Sequence, residues 1–189
     1  MKRIFLCDTN QDIAGAWQYT IEFYPKLKEL VRIGSYDITK LEVDAVVAPG
    51  NSFGFMTGGI DLVYKKFFGD EVQKQIQSEL QQFALHPLGE LLVGEALLIF
   101  TNHPDIKQLI YAPTMRTPRR ISYSSDVYLS TKAAYLMAKK YDIQSIAFPG
   151  MGTGTGGVTP SSAAKLMIQA IHDVEFPIPF PKTLKQINM

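Results

Sequence analysis

"FPGMGTGTGGVTP", Phe148 to Pro160, places five glycines in thirteen residues. Glycine loses more conformational freedom on folding than any other residue, so such a run weakens a fold unless the backbone must turn with positive φ or approach a ligand closely. Upstream lies a short apolar run, "SIAFPG" (Ser145–Gly150), which reads as a buried strand. Downstream, Pro160 opens a helical pattern to Val174, and proline suits a first helical position. In a strand, glycine loop and helix in that order, N–H groups lacking intrahelical partners can face an anion. The stretch therefore predicts an α/β fold with a phosphate-like ligand at this loop.

The same arrangement recurs outward from it. "DAVVA" (Asp44–Ala48) reads as a strand and ends in "PGNSFGFMTGG", followed by apolar residues at helical spacing from Ile60 to Phe68. Further strands are expected at Lys2–Asp8, Leu30–Gly34, Glu95–Phe100 and Gln108–Pro113. Helices are expected from Asp12 to about Tyr24, Glu71–Leu85, and Ser124–Tyr141 with a Ser cap. Strands alternating with helices predict helices on both faces of a mostly parallel sheet, and in open sheets of that kind ligands bind beyond the carboxyl ends of the strands.

Composition excludes several function classes. Nineteen Lys and Arg against eighteen Asp and Glu give a net charge of +1, without the basic excess of a protein that lives on phosphate backbones. Cys7 is the only cysteine, so intramolecular disulfides and cysteine-based zinc sites are excluded, and a reducing, cytoplasmic location is expected. No apolar stretch approaches membrane-spanning length. His86, His103 and His172 lack ligand spacing, so neither a metal nor a resident cofactor is assigned.

Three readings of the glycines compete. Turn chemistry alone requires fewer of them. Gly152, Gly154 and Gly157 match G-x-G-x-x-G, but that dinucleotide fingerprint belongs to a first βα turn, and only 32 residues follow Gly157. The third reading comes from two motifs together. "SYDITKLEVDAVVAPGNSFGFMTGGID" (Ser35–Asp61) resembles the macrodomain signature, in which a "GDIT" element leads through "DAIVNAAN" to a "GGGVD" loop. "PGMGTGTGG" resembles that family's second, phosphate-embracing loop. The resemblance covers roughly residues 30 to 175. It implies one three-layer α/β/α domain over 1–189, with an extra N-terminal strand-helix unit (1–30) and an extended C-terminal tail (175–189).

What the resemblance implies for function is binding of ADP-ribose or a related nucleotide, free or carried on protein or nucleic acid. Asp37 matches the acceptor for the adenine amino group, with Ile38 beside it. Asn51 matches the contact to the distal ribose, and Gly58 and Gly59 the loop glycines near it. Asp61 matches the acid that positions or activates water in hydrolytic members, which with Asn51 makes the candidate catalytic pair. Gly152, Thr153, Gly154, Thr155 and Gly156 match the loop around the diphosphate. Each has a local alternative: Asp37 as a cap, Asn51 as a turn residue, Asp61 as first-turn helix electrostatics.

Two departures favour a non-catalytic reader or sensor over a hydrolase. Ala48 stands where the family's "NAAN" has its first Asn, and Gly156 stands where an aromatic residue closes over the ribose. A phosphatase acting on phosphorylated ADP-ribose is a third possibility. Met115 and Arg116 leave a strand end near the expected crevice, so Arg116, with Arg119 and Arg120, is a candidate phosphate contact. Trp17 and Phe23 are expected to pack the N-terminal unit down. Phe176 or Phe180 is expected to cover the adenine end or pack on the body.

Overall fold

The computed structural model describes residues 3–82, 89–121 and 125–179. Short apolar runs form one sheet: β1 (Arg3–Cys7), β2 (Val31–Gly34), β3 (Ala45–Ala48), β4 (Leu97–Phe100), β5 (Gln108–Tyr111) and β6 (Ser145–Phe148). Their order across the sheet is β2-β1-β6-β3-β5-β4. All neighbours are parallel except β4, which runs antiparallel to β5 at the edge. The helices are α1 (Gln11–Ile21), α2 (Pro25–Lys28), α3 (Gly59–Phe68), α4 (Glu71–Gln82), α5 (Ser125–Lys140) and α6 (Pro160–Glu175).

Successive residues of a strand point to opposite faces, so strands apolar at every position supply two cores. Ala45 and Val47 of β3, with Ile146 and Phe148 of β6, pack beneath α1, α5 and α6. Val46, Ala48 and Ala147 face the other way, onto Tyr64 of α3 and Val72, Ile76 and Leu80 of α4. The predicted three layers are present. Register is fixed at the amino ends of the strands, where Asp44 Oδ2 accepts from Gln144 N (3.1 Å), Ser145 N (2.8 Å) and Ser145 Oγ (2.9 Å).

The N-terminal unit is more deeply integrated than an addition. β1 lies inside the sheet, paired with β2 on one side and β6 on the other. Ile13, Trp17 and Ile21 of α1 are buried, each contributing roughly 2 kcal/mol by removal from water. Phe23 does not share that role: it is 66% exposed and meets Tyr19 edge-on, with ring centroids 5.4 Å apart. α1 stops at Ile21, three residues before the expected end, and the chain turns through Phe23 and Tyr24 into the Pro25 helix.

At the other end α6 runs to Glu175. Phe176 packs on the body beside His172, with ring centroids 5.3 Å apart, at the helix end away from the glycine loop. The expected cap at Ser124, the end of the Glu71–Leu85 helix beyond Gln82, His86, and Phe180 with the rest of the tail lie outside the described residues. Among the described residues no helix is long and apolar enough to cross a membrane.

Candidate functional site

The carboxyl ends of β2, β1, β6, β3 and β5 stand in a row, and each carries crevice-lining residues: Asp37, Asp8, Gly152, Asn51 and Met115 in that order. Four strand spacings of about 4.8 Å make this row about 19 Å long. The crevice has a volume of about 550 Å³, within the range of small-molecule and cofactor sites.

The loop after β6 is built from backbone. Gly157 N donates to Gly154 O (3.0 Å), Val158 N to Gly152 O (3.1 Å), and Ile121 N to Gly156 O (2.9 Å). Gly152 has φ +73°, a conformation L side chains rarely adopt. A Cβ on Gly156 would stand 2.5 Å from Gly152 O, so the position that bears an aromatic ring in the resembled pattern has no room for one here. The N–H groups of residues 152–156 have no acceptor among the described residues. Thr153 Oγ1 donates back to Gly150 O (3.0 Å), and Thr155 lines the crevice exposed. α6 begins beyond this loop and is capped by the Thr159 side chain, so the open donors belong to the loop and not to the helix's first turn.

The loop after β3 is held by side chains. Tyr111 Oη donates to Asn51 O (2.7 Å) and accepts from Asn51 N (2.9 Å). A Cβ on Gly50 would stand 2.0 Å from that hydroxyl, so Gly50 and Tyr111 require each other. Asn51 is buried, and its amide is occupied locally: Nδ2 donates to Phe55 O (2.7 Å), and Oδ1 accepts from Phe53 N (3.1 Å) and Phe55 N (3.4 Å). Phe55, thus clamped, lines the crevice 52% exposed. The loop ends at Gly58 and Gly59, with open space where each side chain would be, and α3 starts there without a side-chain cap. Gly58, Gly59, Ile60 and Asp61 line the crevice, so the positive end of the α3 dipole lies beside it.

Asp37 is exposed, and its Oδ1 caps the 3-10 turn Ile38–Lys40 by accepting from Thr39 N (2.9 Å) and Thr39 Oγ1 (2.7 Å). Those bonds hold its carboxyl below the usual range, so it is an ionised acceptor. Ile38 beside it is buried. Asp61 is the opposite case. It is only 8% exposed, its Oδ1 has no partner among the described residues, and burial pushes its pKa up to about 7. A crevice carboxyl that titrates near neutrality can take or give a proton there. Ala48 is fully buried in the sheet core.

The crevice thus gathers every residue of the predicted site. Arg116 is not part of it: its Nε pairs with Glu90 Oε2 at 2.6 Å, and its guanidinium lies over the Phe53 ring at 5.1 Å. Arg119 and Arg120 are exposed and also lie off the lining, Arg120 running beside Gly157. Among the described residues no Lys, Arg or His lines the crevice, and none form a metal-binding cluster. Sequence reasoning missed Asp8, whose Oδ2 accepts from Gly150 N (3.0 Å), and Tyr36, Phe55 and Tyr111. An acid ending an apolar strand was the available signal for Asp8. Cys7 lines the crevice too, but its buried thiol is pushed up to about 12 and donates to Tyr36 O (3.0 Å), so it is no nucleophile.

Comparison with known proteins agrees with this architecture. A family model described as Macro domain matches residues 47–167, beginning after Asp37. An uncharacterized protein of Aquifex aeolicus is 32% identical over 157 residues, covering 83% of this chain and 87% of that one. An O-acetyl-ADP-ribose deacetylase of Escherichia fergusonii is 26% identical over 151 residues, covering 78% and 81%. Other curated relatives are longer: the chain spans 64% of one from Aeropyrum pernix and 35% of one from Mycobacterium tuberculosis. Among solved structures, a mutant Oceanobacillus iheyensis macrodomain with ADPR superposes with a TM-score of 0.64 at 22% identity, covering 72% of this chain and 73% of that one. With glycine-bearing loops lining a crevice at the strand ends and a family match over residues 47–167, the chain belongs to the Macro domain family.

Proposed function

We propose that this chain binds ADP-ribose or an ADP-ribosyl group along the row of strand ends. The observation that carries the reading is the run of N–H groups at residues 152–156 with no acceptor among the described residues, together with the uncapped α3 start at Gly58 and Gly59 on the same crevice. A diphosphate fits between them, with the base toward Asp37 and the distal ribose toward Gly58, Gly59 and Asp61. The named E. fergusonii relative and the ADPR-containing solved structure concern the same ligand class.

Calorimetric titration with ADP-ribose, ADP, AMP and ATP tests it. ADP-ribose is expected to bind more tightly than AMP, because only it spans both loops and the α3 terminus. No heat and no saturation with millimolar ADP-ribose would overturn the reading.

The buried Asp61 carboxyl supports a second step, hydrolysis, in which it accepts a proton from water beside the distal ribose. The occupied Asn51 amide and buried Ala48 support the reader instead, since neither offers a free polar group to fix the sugar. Loss of label from mono-ADP-ribosylated protein or nucleic acid, abolished by Asp61→Ala, separates the two. A parent without turnover on either class is a reader.

A further inference from the structure

Tyr36 departs from the resembled "GDIT" pattern, which has glycine there, and its surroundings are built around its ring. A Cβ on Gly34, two residues earlier at the end of β2, would stand 1.8 Å from Tyr36 Cε1, so the ring occupies the space of a missing side chain. The Tyr36 carbonyl is tied to β1 by the Cys7 thiol. With its backbone fixed and one part of its ring on bare backbone, Tyr36 is still 40% exposed and lines the crevice immediately before Asp37.

An aromatic ring held in place, open to a ligand crevice and adjacent to an ionised acceptor, has the two elements that recognise a planar amino-bearing base. The ring face attracts any base by stacking, and the carboxylate selects one with an exocyclic amino group. We infer that Tyr36 is the stacking platform for the base of the bound nucleotide, positioned by Gly34 and the Cys7 thiol. This inference rests on the ADP-ribose reading and adds a specificity-determining residue to it. Ile60 and Val63, which also line the crevice, extend the apolar surface on the α3 side.

The test is titration of parent, Tyr36→Ala, Tyr36→Phe and Gly34→Ala with ADP-ribose and AMP, together with proton spectra of the bound nucleotides. Tyr36→Ala is expected to weaken both ligands about tenfold and to abolish the upfield ring-current shift of the adenine H2 and H8 signals. Tyr36→Phe is expected to keep parental affinity and shift, and Gly34→Ala to reproduce the alanine loss by displacing the ring. Equal binding by parent and Tyr36→Ala overturns the inference, as does a Tyr36→Phe defect as large as the alanine one, since the hydroxyl and not the ring would then be at work. Because Tyr36 is exposed, its variants keep the test valid if Gly34→Ala fails to fold. A parent that binds neither nucleotide removes the ADP-ribose reading itself, whereas a parent that binds with Tyr36 indifferent removes the platform alone.

Discussion

The loop after β6 and the loop after β3 line one crevice, yet they are held by different means. The first is closed by its own main chain, with Gly156 packed against the Gly152 carbonyl and no titratable side chain between Gly150 and Val158. The second is held from outside, by Tyr111 on β5 and Gln73 on α4, whose Oε1 accepts from Met56 N at 3.0 Å. Main-chain closure gives a loop whose shape tolerates no added atoms at Gly152 or Gly156. Side-chain scaffolding gives a surface whose shape and charge can be altered one residue at a time.

Asp61 should expose this contrast most strongly. Its folded-state pKa is raised to about 7 from the ordinary 3.8, so ionisation costs the folded state. The penalty is absent below about pH 4, grows as pH rises, and is complete above pH 7, where it reaches about 4 kcal/mol. Asp61→Asn should therefore match the parent in thermal unfolding at pH 4 and exceed it by several degrees at pH 8. A constant difference across that range would mean the carboxyl is not buried as described.

Gly156→Ala attacks the other loop. Its Cβ meets a backbone carbonyl that cannot swing aside, so we expect a loss of about 1–3 kcal/mol in denaturant unfolding, equal at pH 4 and 8, with ADP-ribose affinity falling by tenfold or more. Tyr111→Phe comes next, leaving Asn51 N and O without their partner at a cost of about 1–3 kcal/mol. Its effect on binding should be confined to the distal ribose, so ADP-ribose weakens while AMP does not. If AMP weakens equally, the two loops are mechanically one unit.

Local pattern carried most of the fold, because each strand is a short apolar run and each helix has a turn signal at its start. The Pro160 start and the glycine loops fall where the sequence puts them. What it did not carry are contacts across long separations. Asp8 and Gly150 lie 142 positions apart, and Arg116 finds Glu90 from 26 positions away, which removes it from the crevice. Asp37 and Asn51 were legible both as crevice residues and as a cap and a turn residue, and the structure shows the local bonds: Asp37 Oδ1 accepts from Thr39, and the Asn51 amide is taken up by Phe53 and Phe55. Phe23 misled because an aromatic near the end of an amphipathic helix is as easily outside as in.

The sheet order also has a temporal meaning. β6, which lies between β1 and β3, is the last strand among the described residues. Without it, β2-β1 and β3-β5-β4 have no strand pairing between them. The crevice is complete only when Ser145–Phe148 stands between them and carries its glycine loop into reach of Asp8. Such non-local closure is slow and leaves open edges exposed meanwhile. A chain halted before β6 thus has the Asp8 and Asp37 side of the crevice and the Asn51 and Asp61 side with nothing to join them.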